Sequence, residues 1–325
     1  MKKRIIQFLI LDILCIVMLF VWVKQPVLFA NSSDFPSQAD VTKLETHTRM
    51  LSETFVPRDY THPENLNAAA DYIQVEFEKT SGRVSEQPYM VDGVTYKNVI
   101  LELGPRLVES DGLIVLGAHY DAFDVHPAAD DNASGVAGLL ELSRLLDGAE
   151  LSKTVQFVAY TLEEPPFFRS QDMGSARHAT SLAASSIPID LMISLEMIGY
   201  FSDEPDSQRY PVGAMGWLYP TTGNFVGVIG RFNQGLLVRQ VKRGMLAGSD
   251  LPVEAIAAPP NLVPGIDFSD HLNYWKYDYP AVMVTDTAFN RNFAYHTAED
   301  TADRLDYDRM GKVVQGIYEV VLDQQ

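Results

Sequence analysis

The sequence predicts an α/β fold, a central, mostly parallel mixed sheet with helices on both faces, built as a single globular domain. Two observations predict it. Short apolar runs of strand length recur at Leu113–Ala118, Thr154–Leu162, Leu191–Leu195 and Val282–Thr285. Segments with helical apolar spacing stand between and after them, at Ser134–Leu146, Gly174–Ala184 and Tyr307–Leu322. With 46% apolar residues, 325 positions suffice for a substantial core.

The elements follow in order. Lys2, Lys3 and Arg4 precede an apolar run from Ile5 to Val23, interrupted at Gln7 and Asp12. At ~1.5 Å per residue the run reaches about 28 Å, close to the ~30 Å hydrocarbon layer of a bilayer. The basic start belongs on the cytoplasmic side, which sends the rest of the chain outside. Residues 1–30 are expected to be an uncleaved membrane anchor. A cleaved signal peptide is the second reading, since Ala30 suits a cleavage site while Leu28 is bulky where a small residue is preferred. The polar Asn31-Ser32-Ser33 exit leads into a short linker over 31–39, and residues 40–325 form the globular domain.

Within that domain, Val41–Phe55 and Asn65–Lys79 have helical spacing, the second beginning after Pro63. Residues 83–103 alternate as two strands about a turn at Asp92-Gly93. Residues 203–224, rich in Pro, Gly, Ser and Tyr, read as a long loop of the kind that borders substrate pockets.

The net charge of -18 sets a field that repels phosphate backbones, so nucleic acid is excluded as a partner, and solubility accounts for most of the acidity. Cys15 is the only cysteine and lies in the apolar run. The globular domain therefore has no disulfide and no thiolate, and any metal site must use imidazole and carboxylate.

Polar groups gather where the predicted strands end: His119-Tyr120-Asp121, Glu163-Glu164, Glu196 and Tyr295-His296, with Asp130-Asp131-Asn132 before the Ser134 helix. The carboxyl ends of strands form the ligand crevice of open α/β sheets. A borderline dication takes nitrogen and carboxylate oxygen, and a pair ~3.5–4 Å apart needs a carboxylate that spans both. A separate carboxylate must take a proton from water. Blander readings exist: Asn132 or Ser134 as a helix cap, Glu163-Glu164 as a solvated turn, His119 as a hydrogen-bonded structural residue. Capping leaves Asp130 and Asp131 without a reason. His47, His62, His126 and His178 have no motif around them and default to surface or core roles.

The segments GAHYDA (117–122), ADDNASG (129–135), LEE (162–164), LEMIG (195–199), SDH (269–271) and YHTAEDT (295–301) resemble, in the same order, the zinc aminopeptidase family M28. Its relatives include secreted bacterial leucyl aminopeptidases, glutamate carboxypeptidases and glutaminyl cyclases, and the likeness runs from about residue 40 to the end.

The resemblance implies two zinc ions. His119 would hold the first, Asp131 would bridge, Glu164 and His296 would hold the second, and Glu163 would be the acid/base. Glu196 stands where relatives usually carry Asp as the remaining ligand of the first zinc. Asp121 would accept a hydrogen bond from His119 and fix its tautomer. A cis peptide at Asp131–Asn132 is also implied. Tyr295 either packs or stabilises an oxyanion, while Asp270 and His271 are expected to be supports.

The segment Pro165-Pro166-Phe167-Phe168-Arg169 is longer than the family's usual turn and would reshape the pocket. The expected activity is release of N-terminal amino acids from a peptide substrate. A carboxypeptidase clamping a terminal carboxylate with Arg169 or Arg291 is the nearest alternative. A glutaminyl cyclase-like enzyme or an inactive binding ectodomain are the others.

Overall fold

The computed structural model of the chain describes residues 2–27, 39–107 and 112–325, without the side chains at 2–6, 8, 9 and 16. Leu28, Ala30, the Asn31-Ser32-Ser33 exit and the expected linker up to residue 38 lie outside the described residues.

Helix α1 covers Lys2–Lys24. Ile10, Leu11, Ile13, Leu14, Val17, Met18, Leu19 and Phe20 are all exposed along it. Among the described residues no helix is long and apolar enough to cross a membrane.

Helix α2 (Val41–Arg49) begins at Asp40, whose carboxylate accepts the backbone N–H groups of Thr42 and Lys43, and it widens into one further turn at Met50–Thr54. Helix α3 (Pro63–Phe77) starts on Pro63, where the missing N–H costs nothing. Strands β1 (Arg83–Val91) and β2 (Val94–Leu103) form a hairpin. Its turn needs left-handed backbone at both central residues, met by Asp92 and Gly93 with φ of 48° and 84°.

The series continues through β3 (Leu113–His119), α4 (Gly135–Leu146), β4 (Val155–Tyr160), α5 (Gly174–Ala184) and β5 (Ile189–Glu196). After the long loop come β6 (Val226–Arg231), α6 (Gly235–Gly248) and β7 (Val253–Ala258). Helix α7 (His271–Trp275), strand β8 (Ala281–Thr285) and helix α8 (Tyr307–Asp323) complete it. The strand-helix-strand unit over 226–258 was not legible in the sequence. Two glycines dilute β6 and three alanines dilute β7, which leaves both with weak strand propensity.

The eight strands form one sheet in the order β1-β2-β4-β3-β5-β8-β6-β7. The pairs β3/β4, β3/β5, β5/β8 and β6/β7 are parallel, and β1/β2, β2/β4 and β6/β8 are antiparallel. The mixed, mostly parallel sheet expected from the sequence is thus present.

Alternate side chains of each strand serve the two faces. Ile114 and Leu116 pack with residues of α2, α3, α4, α6 and α8, while Leu113 and Val115 pack with Ala179 and Leu182 of α5 and Tyr274 of α7. At the start of α4 the backbone runs so close to the end of β5 that a Cβ on Gly135 would lie 2.6 Å from the Leu195 carbonyl oxygen.

On the α5 face, His178 is buried with Nδ1 2.7 Å from the Tyr274 hydroxyl. Burial favours the neutral ring and lowers its pKa from 6.5 to about 4. The unfolded chain therefore binds the extra proton between those values. The stability this gives is fully present above about pH 6.5 and is lost as pH falls toward 4, by up to about 3 kcal/mol. Urea unfolding across this window should show the loss, and His178→Gln should flatten it.

Candidate metal centre

The parallel strands deliver their ends to one rim. Strand β3 ends on His119, β5 on Glu196, and the chain leaving β4 turns into Glu163-Glu164. Asp131 comes from the turn before α4, and His296 from the loop after β8. Leu162, Met197 and His296 take left-handed φ values of 59°, 49° and 57°, unusual for residues with a Cβ and found at sites where side-chain aim outweighs backbone comfort.

Two groups of potential ligands result: His119, Asp131 and Glu196 in one, and Asp131, Glu164 and His296 in the other, each with its ligand atoms within 4.8 Å of one another. Asp131 belongs to both. Its Oδ1 lies 3.5 Å from His119 Nε2, and its Oδ2 lies 3.1 Å from His296 Nε2. Glu196 Oε2 is 3.4 Å from His119 Nε2, and Glu164 Oε2 is 3.2 Å from His296 Nε2.

Among the described residues, the buried atoms His119 Nε2, Asp131 Oδ2, Glu164 Oε1 and His296 Nε2 find no hydrogen-bond partner. Orphaned buried polar atoms are costly, and here they converge from both groups, as a set of donors to cations would. The donor types fit zinc. Glu163 belongs to neither group; its Oε2 stands 3.9 Å from His119 Nε2.

The support differs in part from expectation. The His119 Nδ1 hydrogen bond runs to the main-chain oxygen of Asp121 at 3.2 Å, with the carboxylate 3.5 Å away. That carboxylate instead accepts the backbone N–H groups of Glu163 at 3.1 Å and Glu164 at 3.0 Å. Asp121 thereby ties both glutamates to the end of β3. The peptide Asp131–Asn132 is cis. Asn132 Oδ1 accepts the N–H groups of Gly135 and Met197, so the capping role read for it is real and sits beside the candidate ligands. The Asp130 carboxylate accepts from Gly199 N and Asn292 Nδ2 and is a structural node.

Three supporting residues were missed. Ser269 Oγ donates to Glu196 Oε2 at 2.7 Å. The Asp300 carboxylate accepts the N–H groups of Asp130 and Asp131. Phe123 stacks on the His296 ring at 4.1 Å, and Tyr295 stacks on it at 3.7 Å. Ser269 and Asp300 lie inside the SDH and YHTAEDT segments and Phe123 directly follows GAHYDA, so each carried a positional signal. Asp270 is buried, and His271 donates from Nε2 to the Ile266 carbonyl at 2.8 Å, a support role.

Burial pushes the Glu163 carboxyl well above its usual range, opposed by His119 and reinforced by Glu196 and Glu164. Burial and Asp131 push Glu164 up to about 8. Glu196 is raised by burial too. Burial alone would raise Asp131, but the two imidazoles hold it below the usual carboxylate range. Burial disfavours the His296 cation, yet Asp131 and Glu164 raise it to about 10. The whole cluster is an electron-rich pocket that demands positive charge.

Glu196 and Tyr295 also border a cavity that opens to solvent. Its walls are mainly apolar, with Met215, Tyr219, Ile229, Ile256, Phe268 and Phe289 among them, and the 203–224 loop supplies Met215 and Tyr219 as expected of it. The inserted Phe168 packs on Phe268 at 5.8 Å. Arg169 pairs with Asp267 at 2.7 Å, and Arg291 is buried with Nε donating to Gln208. Neither arginine is placed as a carboxylate clamp.

The family model for Peptidase family M28 matches residues 98–225. Over 326 residues the chain is 48% identical to the Uncharacterized protein YfbL of Escherichia coli (strain K12), covering 98% of both chains. It is 25% identical to Leucine aminopeptidase 1 of Grosmannia clavigera over 85% of this chain and 66% of that one. In fold it is similar to BSAP, a zinc aminopeptidase from Bacillus subtilis, with a TM-score of 0.71 at 13% identity, covering 89% of this chain and 96% of that one. With the six ordered segments, the strand-end rim and a family model that spans four of its potential ligands, the chain belongs to peptidase family M28.

Proposed function

We propose that the chain is a metallo-aminopeptidase that uses two zinc ions and is held outside the cytoplasmic membrane by its N-terminal segment. The observation that carries the enzymatic reading is the pair of ligand groups sharing Asp131, one of whose members, Glu196, lines an apolar cavity. His119, Asp131 and Glu196 would hold one ion, and Asp131, Glu164 and His296 the other. Glu196, where relatives usually carry Asp, is anchored by the Ser269 hydroxyl. Bound there, zinc supplies Lewis-acid polarisation of a peptide carbonyl and a lowered pKa for water.

The chain does the rest. Glu163 takes a proton from the water whose oxygen adds to the carbonyl carbon. As the C–N bond breaks, Glu163 returns that proton to the leaving amine. Asp121 keeps the two glutamates aimed through their backbone amides. The carboxylates of the rim favour an incoming α-ammonium group, and the cavity accepts a large apolar or aromatic first side chain. The Tyr295 hydroxyl is available to the tetrahedral oxyanion. Arg169 is paired with Asp267, and Arg291 is buried against Gln208 and does not line the cavity, which favours this reading over a carboxypeptidase that clamps with either residue.

The test is a turnover panel after chelation and zinc restoration. Leucyl and phenylalanyl amides should be hydrolysed, aspartyl amides poorly, and N-acetylated forms not at all. Equal rates on the N-blocked substrates would end the aminopeptidase assignment.

A further inference from the structure

Among the described residues, helix α1 meets the body through its last residues. The Trp22 indole N–H donates to the Phe232 carbonyl at 2.9 Å, and the Lys24 ammonium donates to the Leu218 carbonyl. Lys24 also lies 4.8 Å over the Tyr219 ring, and Arg239 of α6 donates to the buried Gln25 at 2.8 Å. This root is ringed by large side chains that the fold leaves uncovered: Trp217 at 90% exposure, Leu218 at 46%, Phe232 at 40% and Leu236 at 66%. Above the root, the exposed apolar residues of α1 occupy more than one face of the helix, so no protein surface covers them.

From these observations we infer that Trp217, Leu218, Phe232 and Leu236 form a collar that seats in the headgroup layer of a phospholipid bilayer around the point where α1 leaves the body. Aromatic and aliphatic side chains beside the foot of an apolar helix match the composition of a membrane interface. A collar of this kind is a second membrane signal beside the helix, one that fixes how the body is oriented and not merely that it is tethered. Val23 and Tyr219 at the root belong to the same apolar cluster as Ile256 and Ile266, which line the substrate cavity. The seated collar therefore holds that cavity close to the bilayer plane. The inference rests on the proposed membrane contact of the N-terminal segment, and its test reads the collar separately.

The full chain and its Trp217→Phe variant would be reconstituted in vesicles of phosphatidylethanolamine and phosphatidylglycerol carrying acyl chains brominated near the headgroup. The change is at an exposed side chain, and unchanged melting verifies the fold. In the wild type, shallow bromines should remove Trp217 emission, and aqueous iodide should not reach it. The variant should lose that bromine-sensitive fraction. Equal bromine quenching in both proteins, with Trp217 open to iodide, would place the collar in water and overturn the proposal. Protection from iodide without bromine quenching, together with concentration-dependent cross-linking, would assign the collar to a second copy of the chain and overturn it too. Carbonate extraction reads the anchor independently. A chain that resists carbonate while Trp217 stays in water keeps the anchor and loses the collar.

Discussion

Glu163→Gln is expected to lower turnover by roughly 10²–10⁴-fold, the usual worth of a positioned proton-transfer group, while leaving metal content and folding unchanged. The separation follows from geometry. Glu163 is outside both ligand groups, whereas its neighbour Glu164 is inside one. The backbone amide of Glu163 is held by Asp121, and that bond does not depend on the side chain. Glutamine preserves shape and volume and removes only the capacity to accept and return a proton. Single-turnover hydrolysis of leucyl amide, elemental analysis and a thermal melt together check the claim. Turnover within a few-fold of wild type would remove Glu163 from its role; loss of metal would make it a ligand instead.

Asp131→Asn should abolish activity and the response of stability to zinc together. In the wild type, zinc at ~1,000 times its dissociation constant should add about 4 kcal/mol to folding, since it binds the native site and not the open chain. That corresponds to a rise of roughly 8–16 °C in Tm at ~2–4 °C per kcal/mol for a domain of this order of size. Asp131 alone supplies a carboxylate oxygen to each group. An amide cannot offer two anionic oxygens, so both groups are left with two good donors and the stabilisation should vanish. His296→Ala, by contrast, touches one group only and should keep part of the zinc-dependent rise. Differential scanning with and without zinc distinguishes the two. An equal rise in Asp131→Asn and wild type would deny the carboxylate its shared place.

Much of this was legible before any coordinates. The β1/β2 hairpin announced itself by Asp92-Gly93, and α5 has the bounds its spacing predicted, because local turn chemistry and periodicity decide such elements. The strand-end clusters pointed to one rim because a parallel sheet leaves few other places for them. What stayed hidden depends on tertiary context. Arg58 carries no motif, yet it is buried and donates to the carbonyls of Leu51, Tyr120, Pro127 and Ala128, bracing the loops behind the site. Asp121 was read as a partner of an imidazole; its carboxylate turned out to serve two backbone amides of another strand's end, which spacing within one segment cannot disclose. The unit over 226–258 forms one wall of the cavity, and its small residues concealed it.

That link from Asp121 to the amides of Glu163 and Glu164 has a further consequence. In the sheet, His119 lies opposite Tyr160, and the two glutamates follow three and four positions later. The ladder between β3 and β4 therefore works as a vernier for the chemistry. A slip of one residue along it would put Leu162 or Glu164 in the place of Glu163 and flip every neighbouring side chain to the opposite face. The alignment that lets the core close is thus the same alignment that brings Glu163 and Glu164 to the rim beside His119.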